Sequence, residues 1–133
     1  MEIREYKTYC HDEIVNLYKS VGWKNYLERE DMLLQAYANS LCVLGAYDEE
    51  RLIGIVRAVG DGKTVVFVQD LLVLAEYQRK GVGTRLMKAL MERFGDVYQM
   101  ELLADDTETA RAFYSALGFK ASNALGCVAY IKM

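Results

Sequence analysis

The spacing of apolar residues in the first forty positions predicts a short strand followed by two helices. Residues 2–6 are a short β-rich run, and the segment after them presents one apolar face, at Ile14, Leu17, Tyr18 and Val21. These positions follow the i, i+3, i+4, i+7 spacing of an α-helix. Asp12 is placed to cap this helix and Gly22 to end it. A second helix is predicted over residues 31–40.

From residue 42 onwards the apolar pattern changes from helical spacing to β-type alternation. Three strands are predicted, over residues 42–47, 52–59 and 64–74. An acidic turn at 48–50 and a glycine-containing turn at 60–63 connect them. Short turns between consecutive strands predict an antiparallel meander.

The next segment combines an amphipathic helix with a strand. Apolar side chains recur on one face of residues 82–94, Gly95 ends this helix, and a strand is predicted over residues 98–103. The strand before the helix and the strand after it predict a right-handed parallel crossover.

The last thirty residues predict one more helix and two short strands. Asp105 and Glu108 have the spacing of a capping box, and Gly118 is placed to end the helix that follows. Final strands are predicted over residues 118–121 and 127–132. The complete order is βααβββαβαββ, which predicts one α/β domain over residues 1–133, with helices on both faces of a mixed sheet.

Composition and charge narrow the classes of function. The chain is 53% hydrophobic, with a net charge of -3, and it shows no basic face, which argues against nucleic acid as a partner. Its three cysteines and single histidine, His11, lack metal-ligand spacing, so no metal is expected. Idle thiols favour a reduced, cytoplasmic setting. No apolar run is long enough to span a bilayer, and Glu2 interrupts any signal-peptide core.

One segment has the composition of an anion-binding turn. A long strand, a glycine-containing turn and a helix start follow one another there, and the turn contains Gln78, Arg79, Lys80, Gly81, Val82, Gly83 and Thr84. Unpaired amides at a helix N-terminus and the helix dipole favour negative charge. Glycine lets the backbone approach a ligand closely. The sequence therefore predicts a pyrophosphate site, with Arg79, Lys80 and Arg85 around its rim.

Two common phosphate motifs do not fit this chain. Gly62-Lys63-Thr64 ends like a P-loop, but Arg57 stands where the first glycine belongs and a strand follows instead of a helix. The glycines at 81 and 83 begin a G-x-G-x-x-G pattern, but Leu86 replaces the third glycine.

Two motifs do match a known family. Gln78-x-x-Gly81-x-Gly83 follows a long strand, and a segment over residues 110–119 reads Ala-Arg-Ala-Phe-Tyr-Ser-Ala-Leu-Gly-Phe. Together they resemble the acetyl-CoA pyrophosphate motif and the A-x-x-F-Y-x-x-L-G-F segment of the GNAT superfamily of N-acetyltransferases. The resemblance covers essentially the whole chain, because the element order also agrees. It departs at Thr107, where the family often has a cofactor-binding asparagine.

The resemblance implies roles for further residues in binding acetyl-CoA. The pantetheine arm would pair like an added strand with the backbone of Leu71, Leu72 and Val73. The cofactor would also contact α-helical positions near the second motif, at Thr107, Ala110, Phe113 and Tyr114. The N–H of Leu71 would polarise the thioester carbonyl.

The resemblance also assigns a catalytic role to Tyr114, as the acid that protonates the departing thiolate. Spacing alone favours a core tyrosine on the same stripe as Phe113 and Leu117. The general base is not assigned. Glu28, Glu30, Asp31 and Glu101 are candidates, together with residues of the central strand.

The resemblance also implies an acceptor pocket between the first two helices, and core packing is the equal alternative for Trp23 and Tyr26. The residues predicted to line the pocket are Trp23, Tyr26, Gln69 and Asp70, the last two on opposite faces of their strand. Aromatic rings with acidic residues nearby suit a cationic amine.

The predicted function is acetyl transfer from acetyl-CoA to a primary amine of a small molecule, by direct attack in a ternary complex. A protein N-terminus or lysine is the second choice of acceptor. A non-catalytic acyl-CoA-binding module on the same fold and a nucleotide-binding protein are the alternatives from other classes. The final strands would suit a homodimer, as in many members of the superfamily.

Overall fold

The structure follows the predicted order of elements as far as the fourth helix. A computed structural model describes residues 1–24 and 26–133, in two compact units, Met1–Leu103 and Ala104–Met133. The first unit contains β1 (Glu2–Glu5), α1 (His11–Ser20), α2 (Asp31–Ala38), β2 (Cys42–Asp48), β3 (Arg51–Gly60), β4 (Val65–Val73), α3 (Val82–Arg93) and β5 (Gln99–Leu102). The second unit contains α4 (Glu108–Ala116). The mixed α/β class is confirmed, and the single domain stays a prediction.

The sheet of the first unit is the predicted meander with one parallel strand added. Its five strands lie in the order β1-β2-β3-β4-β5. The first four pair antiparallel, and β5 pairs parallel with β4 after the chain has crossed through α3. The strand ends lie within one residue of the predicted ones.

Helices cover both faces of this sheet, as predicted. Gly54 on β3 lies under α3, because an added Cβ there would be 3.2 Å from Val82 Cγ1. Arg57, three residues further along the same strand, is on the opposite face. There its ion-pair partner, Asp70, accepts a hydrogen bond from Tyr18 on α1. The core lies between these layers, and none of the described helices is long and apolar enough to cross a membrane.

The prediction of two final strands is wrong. Residues 118–121 and 126–133 have no strand pairing, and Ser122–Leu125 forms a short 3₁₀ helix. A strand needs a partner for its backbone groups, and residues 104–133, taken as a unit, contain no strand that could supply one. Side chains of the expected last strand are exposed, including Tyr130 and Ile131. Apolar residues do alternate in this segment, but that pattern does not specify a neighbouring strand with which the segment could pair.

Two helix caps also differ from the prediction. The N-cap of α1 is Cys10 instead of Asp12, which lies inside the first turn. The N-cap of α4 is Thr107 instead of Asp105: its Oγ1 accepts the N–H of Ala110 at 3.2 Å, from an extended backbone with φ -131°. The carbonyl of Asp105 accepts the N–H of Thr107, so Asp105 lies outside the helix.

The contact between α3 and the sheet generates a stability prediction. A methyl group at Gly54 would lie 3.0 Å from the carbonyl oxygen of Leu72 and 3.2 Å from Cδ1 of Leu86. Gly54→Ala should therefore lower the free energy of unfolding by about 1–3 kcal/mol, measured by urea denaturation. Gly95→Ala is the control, because its added methyl group meets nothing nearer than 3.5 Å. The control should change stability by no more than about 0.5 kcal/mol.

Candidate functional site

Strand β4 extends beyond the end of its neighbour β5 in the sheet of the first unit. β5 pairs with β4 only from Val65 to Val68. β4 continues to Val73 along its other neighbour, where Gly54 is the partner of Val73. Residues 69–73 therefore have one neighbouring strand in the unit Met1–Leu103 and one side without a ladder.

Peptide groups of this segment face the side without a ladder at alternate positions. The N–H of Leu74 donates to the carbonyl oxygen of Ile53 on β3 at 2.9 Å. Because the direction alternates along an antiparallel strand, the peptide groups of Leu72 also face β3. Those of Leu71 and Val73 point the other way. This is the orientation needed to bind an added strand-like ligand. Leu72 was predicted to bind the cofactor together with Leu71 and Val73, but its peptide groups face β3 and its side chain is buried in the core.

The side chain of Gln78 fastens the following turn to the end of β4. Its Nε2 donates to the carbonyl oxygen of Val73 at 3.0 Å. The carbonyl group of Val73 faces away from β3, and it already accepts this hydrogen bond from Gln78. The first residue of the family motif consequently holds the turn against the strand.

The turn itself has a backbone that exposes amides at the start of α3. Arg79 and Gly81 have positive φ angles of 63° and 83°, with Lys80 between them. Alternation of left-handed residues with ordinary ones forms a concave nest of N–H groups. Gly81 is the N-cap and makes no side-chain cap hydrogen bond. The amides at the first positions of α3, which include Val82, Gly83 and Thr84, have no partner within the helix by its geometry.

The charged residues of this region differ in their placement. Arg79 and Lys80 are exposed beside the turn, and the Nζ of Lys80 lies 5.6 Å from the centre of the Tyr77 ring. Arg85 was predicted at the rim of the site, but its guanidinium donates to the carbonyl oxygen of Met1 at 3.2 Å. Arg85 therefore binds the N-terminal segment.

The predicted acceptor residues lie in one cluster around a tyrosine that the sequence reasoning assigned only to a helix face. The Tyr18 ring centre is 6.2 Å from that of Trp23 and 5.1 Å from that of Tyr26, the latter edge-to-face. The hydroxyl of Tyr26 accepts a hydrogen bond from Nε2 of Gln69 at 2.8 Å. We call the rings of Tyr18, Trp23 and Tyr26 the aromatic wall.

A β-bulge corrects the prediction that Gln69 and Asp70 face opposite ways. Arg57 pairs with Asp70, but its neighbour Ala58 pairs with Val68, so Gln69 is an extra residue in β4. A bulge interrupts alternation and lets consecutive side chains approach the same side. Both residues reach the aromatic wall: Gln69 bonds Tyr26, and Asp70 bonds Tyr18. A period-two pattern cannot reveal such an insertion.

Asp70 is the centre of a buried polar network. Its Oδ2 accepts hydrogen bonds from Nε of Arg57 and from the hydroxyl of Tyr18, each at 2.7 Å. The hydroxyls of Tyr18 and Tyr37 are 3.0 Å apart, and Arg57 Nη1 also donates to Ser40 at 3.3 Å. Burial, together with the Asp70 charge, raises the pKa of Tyr18 above its ordinary value of 10.0. Tyr18 is therefore a neutral hydrogen-bond donor at any ordinary pH.

Arg57 was considered only as a mismatch to the P-loop pattern. Burial by itself would lower its pKa, but the attraction of Asp70 more than offsets this and leaves the pKa of Arg57 above its ordinary value. One signal could have identified it: a lone charged residue in the apolar run 52–59 needs a buried partner of opposite charge.

The remaining predicted residues lie on or next to α4 in the second unit. The ring of Tyr114 is packed edge-to-face between Phe113, at 4.9 Å, and Phe119, at 5.9 Å. Burial and the nearby Asp105 raise the pKa of Tyr114 above 10.0. The side chain of Thr107 is engaged as the cap of the helix, where it binds the N–H of Ala110.

Two further features lie outside the predicted site. A cavity of about 190 Å³ is lined by Tyr6, Lys7, Tyr9, Leu34, Tyr37, Ala38 and Val43, none of which was a predicted site residue. Within residues 1–24 and 26–133, no three histidine, cysteine or acidic side chains are grouped as a metal site.

Comparison with known proteins identifies the family. The model of a family described as acetyltransferase (GNAT) family matches residues 9–119. The chain belongs to the GNAT family of acetyltransferases. A solved GNAT-family acetyltransferase from Streptococcus pneumoniae is 37% identical, with a TM-score of 0.90 over 99% of this chain and 96% of that one. The resemblance inferred from the two motifs is thereby confirmed.

Two curated GNAT relatives match over parts of their length. One is the chloroplastic GCN5-related N-acetyltransferase 2 of Arabidopsis thaliana, 38% identical over 77 residues, which are 55% of this chain and 28% of that protein. The other is an uncharacterized ycf52-like N-acetyltransferase of Prochlorococcus marinus, 29% identical over 113 residues, 80% of this chain and 61% of that protein. The chain thus spans less than two thirds of either relative. GNAT members use acetyl-CoA, and acetyl transfer is the activity that this membership supports.

The backbone of the turn predicts opposite effects for one substitution at two glycines of the GNAT motif. Gly81→Ala should lower the free energy of unfolding by about 1–2 kcal/mol, because alanine is strained at a φ of 83°. Gly83, inside the first turn of α3, has no positive φ. Gly83→Ala should therefore raise stability by about 0.5–1 kcal/mol. Thermal and urea unfolding measure both, and equal signs would contradict the described turn.

Proposed function

We propose that this GNAT protein transfers the acetyl group of acetyl-CoA to a primary amine of a small molecule. The observation that carries the proposal is the continuity of two features in the first unit. The side of β4 without a ladder, with the peptide groups of Leu71 and Val73, leads directly into the uncapped N-terminus of α3. A ligand that has an extended amide-containing arm and a pyrophosphate matches both features at once.

The residues present suit this ligand. Amides of Val82, Gly83 and Thr84 would hold the pyrophosphate, with the exposed charges of Arg79 and Lys80 beside them. The N–H of Val73 and the carbonyl of Leu71 would hold the pantetheine arm, since the carbonyl of Val73 is engaged by Gln78. When bound, acetyl-CoA supplies a thioester, which is an activated acyl group.

Two groups of the chain would then act on the reaction. The N–H of Leu71 polarises the acyl carbonyl and stabilises the negative charge that develops on its oxygen. The phenol of Tyr114 donates its proton to the departing thiolate, and its raised pKa keeps that proton in place through neutral and mildly alkaline pH. The amine attacks directly, since the three cysteines lie in no recognisable motif that pairs a cysteine with a histidine, which disfavours a covalent route.

The aromatic wall supports a small amine as the acceptor. Trp23 is 42% exposed and Gln69 is exposed beside Tyr26, so the wall offers ring faces and a polar amide to a ligand. Ring faces attract an ammonium group. The general base stays unassigned: Glu30 is engaged with His11 at 3.2 Å, and the charge of Asp70 is paired with Arg57. A homodimer, a cytoplasmic location and the absence of nucleic-acid or membrane partners remain predictions.

The catalytic role of Tyr114 is tested by Tyr114→Phe. Removal of the proton donor should lower kcat about a hundredfold or more, while the Kd for acetyl-CoA stays within about twofold. Tyr130→Phe is the matched control in the same unit, since Tyr130 is 93% exposed. It should leave both constants unchanged. Steady-state kinetics with a panel of amines and calorimetry with acetyl-CoA give the two constants.

The same experiment separates the enzyme from its rivals. Tight acetyl-CoA binding without turnover of any amine, N-terminal peptide or lysine peptide would favour the non-catalytic acyl-CoA-binding module. A wild-type kcat in Tyr114→Phe would remove that phenol from the mechanism and leave the acetyltransferase assignment in place.

The pyrophosphate site is tested by Gly83→Asp. A carboxylate in the first turn of α3 would repel the phosphates and fill the space they need, so the Kd for coenzyme A should rise at least a hundredfold. Gly95→Asp adds the same charge just beyond the other end of this helix, and there the affinity should not change. Circular dichroism checks that both variants fold. Unchanged affinity in Gly83→Asp would place the phosphates elsewhere.

A further inference from the structure

We infer that the β-bulge at Gln69 is a positioning device: it holds the hydroxyls of Tyr18 and Tyr26 and so fixes the aromatic wall that receives the acceptor. This inference rests on the proposed function, because it concerns the acceptor side of the same site. It makes Tyr18 a positioning residue that determines acceptor affinity, and it leaves acetyl-CoA affinity to other residues.

The first step is the anchoring of Tyr18. This side chain is 0% exposed, so it does not itself meet the acceptor. Its hydroxyl donates to Asp70 Oδ2 at 2.7 Å and lies 3.0 Å from the hydroxyl of Tyr37. Hydrogen bonds to a buried carboxylate are short and strong because water does not compete for them. The ring is therefore held at its far end by a charged group.

The second step is the rigidity of that anchor. Asp70 is 1% exposed, and its Oδ2 also accepts Nε of Arg57 at 2.7 Å. The other carboxylate oxygen, Oδ1, is buried and has no hydrogen-bond partner among the described residues. A buried carboxylate loses much if one of its hydrogen-bond donors is removed. Asp70 consequently retains Tyr18 in one position.

The third step is the geometry of the bulge. In a regular strand, consecutive side chains point to opposite faces, and Gln69 and Asp70 could not both reach one cluster. Since Gln69 is an extra residue, the two side chains bind two rings whose centres are 5.1 Å apart. The relative placement of Tyr18 and Tyr26 is thus set by two adjacent residues of one strand.

The last step connects this placement to the surface that a ligand meets. Trp23 is the single tryptophan of the chain, and it packs at 6.2 Å from Tyr18 while 42% of it is exposed. The buried ring of Tyr18 is therefore the support for the exposed ring of Trp23. Bulges next to active sites commonly aim side chains in this way.

The experiment compares two variants that each lose one hydroxyl of the same buried network. Tyr18→Phe breaks the bond to Asp70 and should raise the acceptor KM about tenfold, with the Kd for acetyl-CoA unchanged. Tyr37→Phe is the matched control: it leaves the bond between Tyr18 and Asp70 intact and should leave the acceptor KM unchanged. Gln69→Leu breaks the exposed second anchor on Tyr26 and should also raise the acceptor KM.

Tryptophan fluorescence provides a readout that needs no turnover. With excitation at a wavelength that tyrosine does not absorb, emission comes from Trp23 alone, so Tyr18→Phe should increase acrylamide quenching and lower the anisotropy, whereas Tyr37→Phe should not. An equal rise of the acceptor KM in Tyr18→Phe and Tyr37→Phe, or unchanged quenching in Tyr18→Phe, would overturn the inference. If Tyr18→Phe does not fold, an unchanged acceptor KM in Gln69→Leu would overturn it.

The two proposals fail in different ways. If no amine is acetylated by the wild-type protein, the proposed function fails, and the fluorescence of the variants still decides whether the bulge positions the wall. If amines are acetylated and the fluorescence of Trp23 does not respond, the positioning role fails and the acetyltransferase remains.

Discussion

The structure depends on β4 having two neighbours of unequal length. Its β3 neighbour pairs with it as far as Val73, whereas β5 stops pairing after Val68. A strand that kept both neighbours to its end would have all its peptide groups engaged. Because β5 stops short, Leu71 and Val73 retain groups for a ligand, and the turn that follows begins at the same end of the strand.

The buried pair of Arg57 and Asp70 is the second constraint on this part of the molecule. Burying two charges is costly, and breaking such a pair by removing one partner typically costs about 3–5 kcal/mol. The pair is located where the bulge lies, and it links β3, β4 and the tyrosines of α1 and α2. The ion pair therefore serves to fix the relative arrangement of these elements more than to raise the free energy of unfolding.

Much of the fold could be predicted because local patterns determine it. The apolar stripe of α3 and the alternation in β3 place those elements within one or two residues. The glycine turn with its motif identified the family. Features that depend on distant parts of the chain could not be predicted from the sequence. The bulge at Gln69 depends on how β3 and β4 pair, and the role of Tyr18 depends on Asp70, which is 52 residues away. The last two strands failed for the same reason, since their apolar alternation does not specify a partner.

The bulge and the buried ion pair together limit how the length of the chain can vary. Deleting one residue between Arg57 and Asp70 would move the carboxylate away from its guanidinium and leave both charges buried alone. An insertion within the paired part of either strand, outside the turn at 60–64, has the same effect. The turn at Glu49, which connects β2 to β3 and has a φ of 55°, lies outside the segment that joins this ion pair. Changes in length should thus be tolerated in the hairpin turns and excluded from the strand segments that lead to Arg57 and Asp70.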